Sequence, residues 1–136
     1  MIDKEIIKIA TNTENHGVLN NHTHSSKLKN AICGDEMKIY LIVKDDKITN
    51  FKYECESCVY CQAAVSLLSR NAKNKSIEKV KNFAKQAKNC FEKSTKSFDK
   101  EWIEFDKIMT KNNISRKECL LLPVNATLDA LNKKSL

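Results

Sequence analysis

Four residues of this chain combine metal-binding side chains with positions where secondary structure is expected to begin or end: Cys33, Asp35, Cys58 and Cys119. Side chains two residues apart in extended backbone point the same way, and Gly34 allows a tight turn between Cys33 and Asp35. A thiolate and a carboxylate are therefore expected to face a common point. Three thiolates with one carboxylate form the ligand set of a tetrahedral zinc ion or of the edge of an iron–sulfur cluster.

The predicted surroundings of Cys58 and Cys119 favour the thiolate form. Cys58 is expected where a strand ends and a helix begins, and Cys119 is expected at the start of the last helix. The positive end of a helix dipole stabilises a thiolate at the N-terminus of that helix. Arg116, three residues before Cys119, would add a further positive charge. Both sulfurs are therefore expected to bind a metal as thiolates.

The segment from Cys55 to Cys61 contains three cysteines at intervals of three residues, with Cys58 in the middle. One interpretation is a self-contained metal or redox motif, although the segment lacks the further cysteine and the proline of a bacterial ferredoxin run. The interpretation that we favour places Cys55 and Cys61 in the core, because cysteine is among the most buried residue types. Cys90, on the apolar face of a predicted helix, is expected to lie in the core as well.

The three histidines, His16, His22 and His24, all fall in a polar segment. This segment, residues 11–31, is rich in Asn, Thr and Ser and is predicted to be an extended loop. His22 and His24 are two residues apart and could bind a metal, but histidines in loops are more often simply solvated. We expect all three to lie outside the metal site.

The length and the cysteine content indicate one domain in a reducing compartment. The chain has 136 residues, enough for a compact domain with a modest core. No apolar run approaches the roughly 18 residues of a membrane span, and the first residues lack the features of a signal peptide. We therefore expect residues 1–136 to form a single domain of a soluble, cytoplasmic protein with no membrane partner. Its 6 cysteines should then be free thiols rather than disulfides.

The formal net charge of +7 permits binding to nucleic acid through phosphate contacts. The lysines are spread along the chain, however, and Arg70 and Arg116 are the only arginines. Arginine is the residue that most often reads bases through paired contacts. We favour a solvated, lysine-rich helix surface, and nucleic acid is not expected as a partner.

The hydrophobic pattern predicts a small sheet followed by helices. Residues 37–43 and 48–56 alternate between apolar and polar side chains, as two strands with one buried face do. Apolar residues at helical spacing predict helices over residues 1–10, from about Val59, after Ser76 as N-cap, over about residues 98–111 and from about Arg116 to Leu131. Pro123 is expected near the first turn of the last helix. The predicted fold class is α+β, with a hairpin-based antiparallel sheet of about three strands packed against several helices.

The motifs of this chain, taken in order, resemble those of a known family. They are Asn15-His16-Gly17-Val18-Leu19, Cys33-Gly34-Asp35, Lys52-Tyr53 ahead of Cys58, Ala63-Ala64-Val65-Ser66, Asn74-Lys75-Ser76, Arg116-Lys117-Glu118-Cys119, Leu122-Pro123 and Ala130-Leu131. This series is similar to the iron–sulfur cluster assembly scaffold family of the IscU, SufU and NifU N-terminal type, from about residue 12 to about residue 132. Three cysteines in matching contexts make the resemblance fairly specific.

The resemblance implies a site and a function. The three ligand cysteines of the family correspond to Cys33, Cys58 and Cys119, and its aspartate corresponds to Asp35. Members of the family accept sulfur from a cysteine desulfurase of the SufS or IscS type. They then assemble a labile [2Fe–2S] cluster for apo iron–sulfur acceptor proteins or, in the zinc-bound branch, relay the sulfur. Cys33 and Cys119 are the candidate sulfur acceptors, and the resemblance implies a scaffold rather than an enzyme, with sulfur transfer as an open activity.

The chain departs from the family pattern in and around the site. Glu118 stands where the scaffold branch has a histidine ligand, and the Leu-Pro-Pro-Val-Lys segment of that branch is absent. The long stretch between Cys58 and Cys119, with its predicted helix around Trp102, resembles the zinc-binding SufU branch. Arg116 ahead of Cys119 also resembles that branch.

Three functions stay open at this point: a scaffold for a labile [2Fe–2S] cluster, a zinc-dependent sulfur acceptor, and a zinc-stabilised basic module that binds nucleic acid. The scarcity of arginine and the lack of interleaved aromatic residues argue against the third. Thiolates with a single oxygen ligand hold iron or zinc more weakly than four thiolates do. Such a ligand set suits a site that must release its cargo.

Overall fold

Three strands and a series of helices follow one another along the described part of the chain. The structure, a computed structural model, describes residues 3–32, 34–91 and 98–133. Its strands and α-helices are, in chain order, α1 (Lys4–Ala10), β1 (His24–Lys29), β2 (Glu36–Lys44), β3 (Lys47–Glu56), α2 (Val59–Asn71), α3 (Ile77–Cys90) and α4 (Lys117–Leu131). Two 3₁₀ segments, Lys100–Lys107 and Lys111–Arg116, precede α4. This architecture confirms the predicted α+β class.

The β2–β3 hairpin has one buried face, as its alternating sequence predicts. The two strands are antiparallel, and Ile39 and Tyr53, which lie directly opposite each other, are both buried. Asp45 and Asp46 form the loop, and their φ angles of 52° and 61° lie in the left-handed region. Tight hairpin turns require this conformation, which Asp tolerates better than most side chains do. The register shifts by one residue between Ile42 and Val43, so the turn and this irregularity together bring Glu36, the first residue of β2, opposite Glu56, the last residue of β3.

The segment that was predicted to be an extended loop, residues 11–31, contains the strand β1. β1 pairs antiparallel with β2, so the sheet order is β1–β2–β3. The loop prediction was wrong here because the strand contains one large apolar side chain, Leu28, and so shows no apolar alternation. Ser26 Oγ also donates a hydrogen bond of 2.5 Å to the carbonyl of Ala126 in α4. Pairing with a long neighbouring strand, rather than local sequence, determines β1.

The helices pack on one another and on the sheet. α4 packs across β1 and β2, α2 packs against β3 and α4, and α1 packs on α2. The predicted apolar stripe of α2 is entirely buried and consists of Cys61, Ala64, Val65 and Leu68. α3 begins at the predicted cap, where Ser76 Oγ accepts a hydrogen bond of 3.2 Å from the N–H of Lys79. None of the helices in the described residues is both long and apolar enough to cross a membrane.

The segment that was predicted as one helix over about residues 98–111 forms 3₁₀ segments instead. The backbone is kinked at Trp102, where φ is −123° and ψ is 16°. Trp102 stacks on Phe83 of α3 with ring centroids 4.3 Å apart, and Phe98 and Phe105 pack on the same Phe83 ring. A helix this short is marginal without tertiary contacts. The packing of these aromatic side chains therefore dictates the local backbone.

Pro123 lies further into the last helix than the sequence suggested. α4 begins at Lys117, so Pro123 is its seventh residue and stands beyond the first turn. Proline has no N–H and cannot donate the usual helical hydrogen bond to the carbonyl four residues earlier, that of Cys119. The helix nevertheless continues, with Pro123 buried and its carbonyl accepting a hydrogen bond of 2.8 Å from Thr127 Oγ1.

Candidate metal centre

Asp35 is held at the start of β2 by a short hydrogen-bonded loop. The N–H of Gly34 donates to the carbonyl of Asn30 at 2.7 Å, and the N–H of Asn30 donates to the carbonyl of Asp35 at 2.7 Å. Gly34 has a φ of 76°, in the left-handed region that glycine adopts without steric cost. The loop leaves the Asp35 side chain buried, with 6% of its surface exposed.

Cys58 connects β3 to α2. It is the N-cap residue of α2, and the N–H of Gln62 donates to its carbonyl at 3.0 Å to close the first helical turn. The N–H of Cys58 donates to Asp35 Oδ1 across 3.2 Å. This bond ties the segment ahead of β2 to the segment after β3. The predicted position of Cys58, between a strand and a helix, is confirmed.

Cys119 lies in the first turn of α4, as predicted, and is buried. The 3₁₀ segment Lys111–Arg116 leads directly into this helix. Because α4 packs against α2, the first turns of the two helices can present their cysteines to the same point.

Asp35, Cys58 and Cys119 form one group. A carboxylate oxygen of Asp35 and the two sulfur atoms all lie within 4.8 Å of one another. Across the residues that the structure describes, no second group of three or more His, Cys, Asp or Glu side chains has this spacing. Three side chains from distant parts of the sequence, each predicted as a ligand, are therefore brought together.

Cys33, the fourth predicted ligand, lies outside the described residues. It directly precedes Gly34 in the sequence, and its role as a ligand stays a prediction.

The carboxylate of Asp35 has the features of a metal ligand. Its Oδ1 accepts the hydrogen bond from Cys58, whereas its Oδ2 is buried and has no hydrogen-bond partner. A buried polar atom without a partner costs free energy, so such atoms in proteins are normally bonded to a donor, water or an ion. Two thiolates and one carboxylate oxygen are donors that both zinc and iron accept. The residues present therefore fit a metal, which would satisfy Oδ2 and hold both cysteines as thiolates.

Cys55 and Cys61 lie beside this group rather than in it. Cys61 is fully buried, which confirms the core interpretation for that residue, and Cys55 is half-buried at the edge of the core. Burial raises the pKa of both thiols, and the hydroxyl of Ser57 partly offsets this rise. The negative charge of Asp35 raises both pKa values further.

Cys90 packs at the edge of the core rather than deep inside it. Its thiol donates a hydrogen bond of 3.1 Å to the carbonyl of Ala87. Burial raises its pKa to about 11. Neither Cys90 nor any of the other described cysteines, Cys55, Cys58, Cys61 and Cys119, forms a disulfide, in agreement with the expectation for these cysteines.

None of the histidines, all of which are described, belongs to the metal group. His24 is a buried residue of β1, contrary to its prediction as a loop residue, and its Nδ1 lies 2.8 Å from Thr23 Oγ1. His16 packs edge-on against Tyr53, with ring centroids 5.5 Å apart. That the histidines lie outside the metal site stays a prediction.

A cation–π contact joins the two helices that carry the cysteines. The guanidinium carbon of Arg116 lies 5.1 Å from the centroid of the Tyr60 ring. Tyr60 is two residues after Cys58, and Arg116 is three residues before Cys119. No motif in the sequence singled out Tyr60, although an aromatic residue in the first turn after a candidate ligand was an available signal. That Arg116 stabilises the Cys119 thiolate stays a prediction.

Comparison with known families identifies the family to which the chain belongs. The profile of the family described as the NifU-like N terminal domain matches residues 1–98, a range that includes Asp35 and Cys58. The chain belongs to this family. Cys119, the remaining member of the metal group, comes from the part of this NifU-like chain beyond the matched range.

Individual relatives agree with this assignment. The NifU-like chain is 28% identical over 137 residues to the iron–sulfur cluster assembly scaffold protein IscU of Thermotoga maritima, a match that covers 99% of this chain and 95% of the relative. It superimposes with a TM-score of 0.86 and 26% identity on a candidate iron–sulfur cluster assembly scaffold protein for the SUF system from Fervidobacterium islandicum, covering 96% of each chain. The N-terminal part of a NifU-like protein from Brucella abortus shares the fold, with a TM-score of 0.88 at 20% identity over 96% of this chain and 91% of the other.

Proposed function

We propose that this chain is a scaffold on which iron–sulfur clusters are assembled, with the cluster as its cargo. The observation that carries this proposal is the convergence of Asp35, Cys58 and Cys119 within 4.8 Å, with the buried Asp35 Oδ2 lacking a hydrogen-bond partner. Membership in the NifU-like family and the likeness to the IscU protein of Thermotoga maritima support the same function. Cys33 is proposed as the fourth ligand.

The ligand set suits temporary holding of a [2Fe–2S] cluster. Asp35 Oδ1 is already engaged by the N–H of Cys58, so Asp35 would bind iron through a single oxygen. One oxygen among thiolates binds iron more weakly than a further thiolate would, which favours release. Cys58 is partly exposed, so an acceptor protein could approach the cargo from its side.

The sulfur of the cluster would come from a cysteine desulfurase. In this step a thiolate of Cys33 or Cys119 attacks the outer sulfur of the donor's persulfide, and the donor cysteine leaves as a thiolate. The finished cluster would pass to apo iron–sulfur acceptor proteins. We place this activity in the cytoplasm, where thiols stay reduced, and assign it to residues 1–136 as one domain, in keeping with a core that includes residues from Ile6 to Ala130.

A second candidate is a zinc-dependent sulfur relay at the same site. Zinc prefers four ligands in tetrahedral arrangement, and two thiolates with one carboxylate would supply three of them. The long stretch between Cys58 and Cys119 and the position of Arg116, both of which resemble the zinc-binding SufU branch, favour this alternative. In this case zinc would organise the cysteines, and the sulfur would move on without a cluster being formed.

Elemental analysis with absorption spectroscopy separates the two candidates. The purified chain would be incubated anaerobically with ferrous iron, cysteine and a cysteine desulfurase, and its iron, zinc and visible spectrum would be measured before and after. Cluster bands with stoichiometric iron and sulfide are expected. Tightly held stoichiometric zinc and no cluster bands would overturn the scaffold proposal in favour of the relay. Cys119→Ser should lose the cluster, and Cys90→Ser, which changes a free thiol outside the metal group, should keep it.

A further inference from the structure

Cys58 and Cys61 occupy the positions of a dithiol pair at the start of α2. Cys58 is the N-cap residue and Cys61 is the third residue of the helix. The bond from the N–H of Gln62 to the carbonyl of Cys58, at 3.0 Å, shows that the first turn is closed. Residues three apart in a helix have Cα atoms about 5 Å apart. This separation lies within the range that a disulfide bond spans.

The two thiols of this pair differ in exposure. Cys58 is partly exposed, whereas Cys61 has 0% of its surface exposed. An outside reagent can therefore reach Cys58, while Cys61 can be reached by neighbouring protein groups alone. In Cys-x-x-Cys redox motifs an accessible cysteine at a helix N-terminus reacts first. The buried partner can then resolve the product within the same protein.

Cys61 has no part in the metal group as the structure describes it. The group that converges within 4.8 Å contains Cys58 but does not include Cys61. The thiol of Cys61 is thus available for chemistry that the ligand role does not use.

We propose that Cys61 reduces sulfur that has been transferred to Cys58 and so releases it as sulfide. This inference rests on the proposed function, in which Cys33 or Cys119 first receives sulfur in the persulfide state. The sulfur of Cys58 lies within 4.8 Å of that of Cys119. A Cys58 thiolate can therefore attack the outer sulfur of a Cys119 persulfide, and Cys119 then leaves as a thiolate. The reduction by Cys61 adds a step that a scaffold needs, because cluster sulfur is sulfide, whereas the outer sulfur of a persulfide is two electrons more oxidised.

The step is a thiol–disulfide exchange within the pair. The sulfur of Cys61 attacks Sγ of the Cys58 persulfide, a Cys58–Cys61 bond forms, and the bond from Cys58 to the outer sulfur breaks. The outer sulfur leaves with the electron pair of that bond, and the proton lost by Cys61 leaves with it as part of hydrogen sulfide. Two thiol sulfurs are oxidised to a disulfide while one sulfur atom is reduced to sulfide. A cellular dithiol reductant then restores both cysteines.

The experiment uses glutathione persulfide as the sulfur donor and no desulfurase. Reduced, metal-free chain would receive one equivalent of the donor anaerobically, excess small molecules would be removed, and sulfide and protein mass would be followed. The native chain is expected to release sulfide and to end two hydrogens lighter, with a Cys58–Cys61 disulfide in the peptide map. Cys61→Ser is expected to keep an added sulfur atom and to lose sulfide release.

Two control variants test the pairing. Cys90→Ser should behave like the native chain, because Cys90 lies on α3, away from the pair. Cys55→Ser should also retain sulfide release, since its sulfur belongs to β3 and not to the helical turn. Cys61→Ala provides a second substitution in case serine is not tolerated at a fully buried site. Unchanged sulfide release in a folded Cys61 variant, a stable persulfide on the native chain, or a disulfide that joins Cys55 instead would each overturn the proposal.

A parallel assay keeps this proposal separate from the scaffold function. Cluster formation from ferric iron and inorganic sulfide does not require any sulfur to be reduced, so Cys61→Ser should still form the cluster under those conditions. If the native chain forms no cluster from inorganic sulfide, the scaffold function fails while the sulfide-release result stands on its own.

Discussion

The N–H of Cys58 and Oδ1 of Asp35 are joined by a hydrogen bond of 3.2 Å that connects the two ends of the β2–β3 hairpin. The bond fixes the carboxylate beside the start of α2 and uses one of its two oxygens. The other oxygen, Oδ2, is buried without a hydrogen-bond partner. A backbone group thus prepares Asp35 to bind a metal through one oxygen, next to two thiolates.

We expect the single oxygen ligand to govern how quickly the site releases metal. Asp35→Cys would replace it with a thiolate, which binds zinc and iron more strongly. Zinc release to a chelator, measured by stopped-flow absorbance, should slow by about tenfold or more, equivalent to about 1.4 kcal/mol.

Asp35→Asn serves as the matched control for that change. Asparagine keeps an oxygen that can accept the hydrogen bond from the N–H of Cys58 but loses the negative charge, so zinc should leave faster than from the native chain. Release from Asp35→Cys at the native rate would contradict the idea that the oxygen ligand makes the site labile.

The contact between Arg116 and Tyr60 should help to hold the two cysteine-bearing helices at their present spacing. Cation–π contacts at partly exposed sites contribute about 0.5–1 kcal/mol. Tyr60→Leu should therefore lower zinc affinity by a few-fold in a chelator competition assay. Tyr60→Phe preserves the ring face and should bind zinc like the native chain. An equal loss of zinc affinity in both variants would show that the hydroxyl or the local packing of Tyr60, and not its ring face, supports zinc binding.

Trp102 should contribute strongly to stability although it lies in a 3₁₀ segment. Its side chain is buried and stacks on Phe83 with centroids 4.3 Å apart. Trp102→Ala should reduce the free energy of unfolding by about 3–5 kcal/mol, measured by denaturant titration. Ile103→Ala is the neighbouring control, since Ile103 is 46% exposed and should change stability by less than about 1 kcal/mol. Similar losses for both would contradict the burial argument.

Tyr53 should make the fold sensitive to alkaline pH. Burial, followed by the charge of Cys55, raises its pKa from 10.0 to about 12. Between these values the unfolded chain loses the tyrosine proton and the folded chain keeps it, so stability is intact below pH of about 10 and falls as the pH rises towards 12. The loss should approach on the order of 2 kcal/mol.

Unfolding curves at several pH values would measure this effect. Tyr53→Phe has no proton to lose and should show a flatter decline in the free energy of unfolding above pH of about 10. Burial and the hydrogen bond to Glu54 also raise the pKa of Tyr40 to about 12. Tyr40 therefore adds to the loss of stability at high pH, and it is still present in the Tyr53→Phe variant. If the free energy of unfolding declined equally with pH in the native chain and in Tyr53→Phe, the burial of Tyr53 would not be the cause of the alkaline destabilisation.

Local patterns predicted the elements whose own side chains determine them. Most of the β2–β3 hairpin alternates between apolar and polar side chains, and the Ser76 cap of α3 is a local hydrogen bond. β1 was not predicted because its polar sequence shows no strand pattern, and its extended conformation depends on hydrogen bonds to β2. The helix expected around Trp102 was wrong for a related reason, since aromatic contacts with α3 override the short-range preference of that segment.

By itself the sequence determined the donor atoms: it specified Asp35 next to Gly34, placed Cys58 and Cys119 at helix starts, and put Cys61 one turn after Cys58. The tertiary structure decided which of these donors meet and which sulfur solvent can reach. Side-chain type and helical spacing are local properties, whereas the packing of α4 on α2 and on the sheet brings together atoms from residues 35, 58 and 119. Convergence and burial depend on contacts between distant segments, which no local pattern contains.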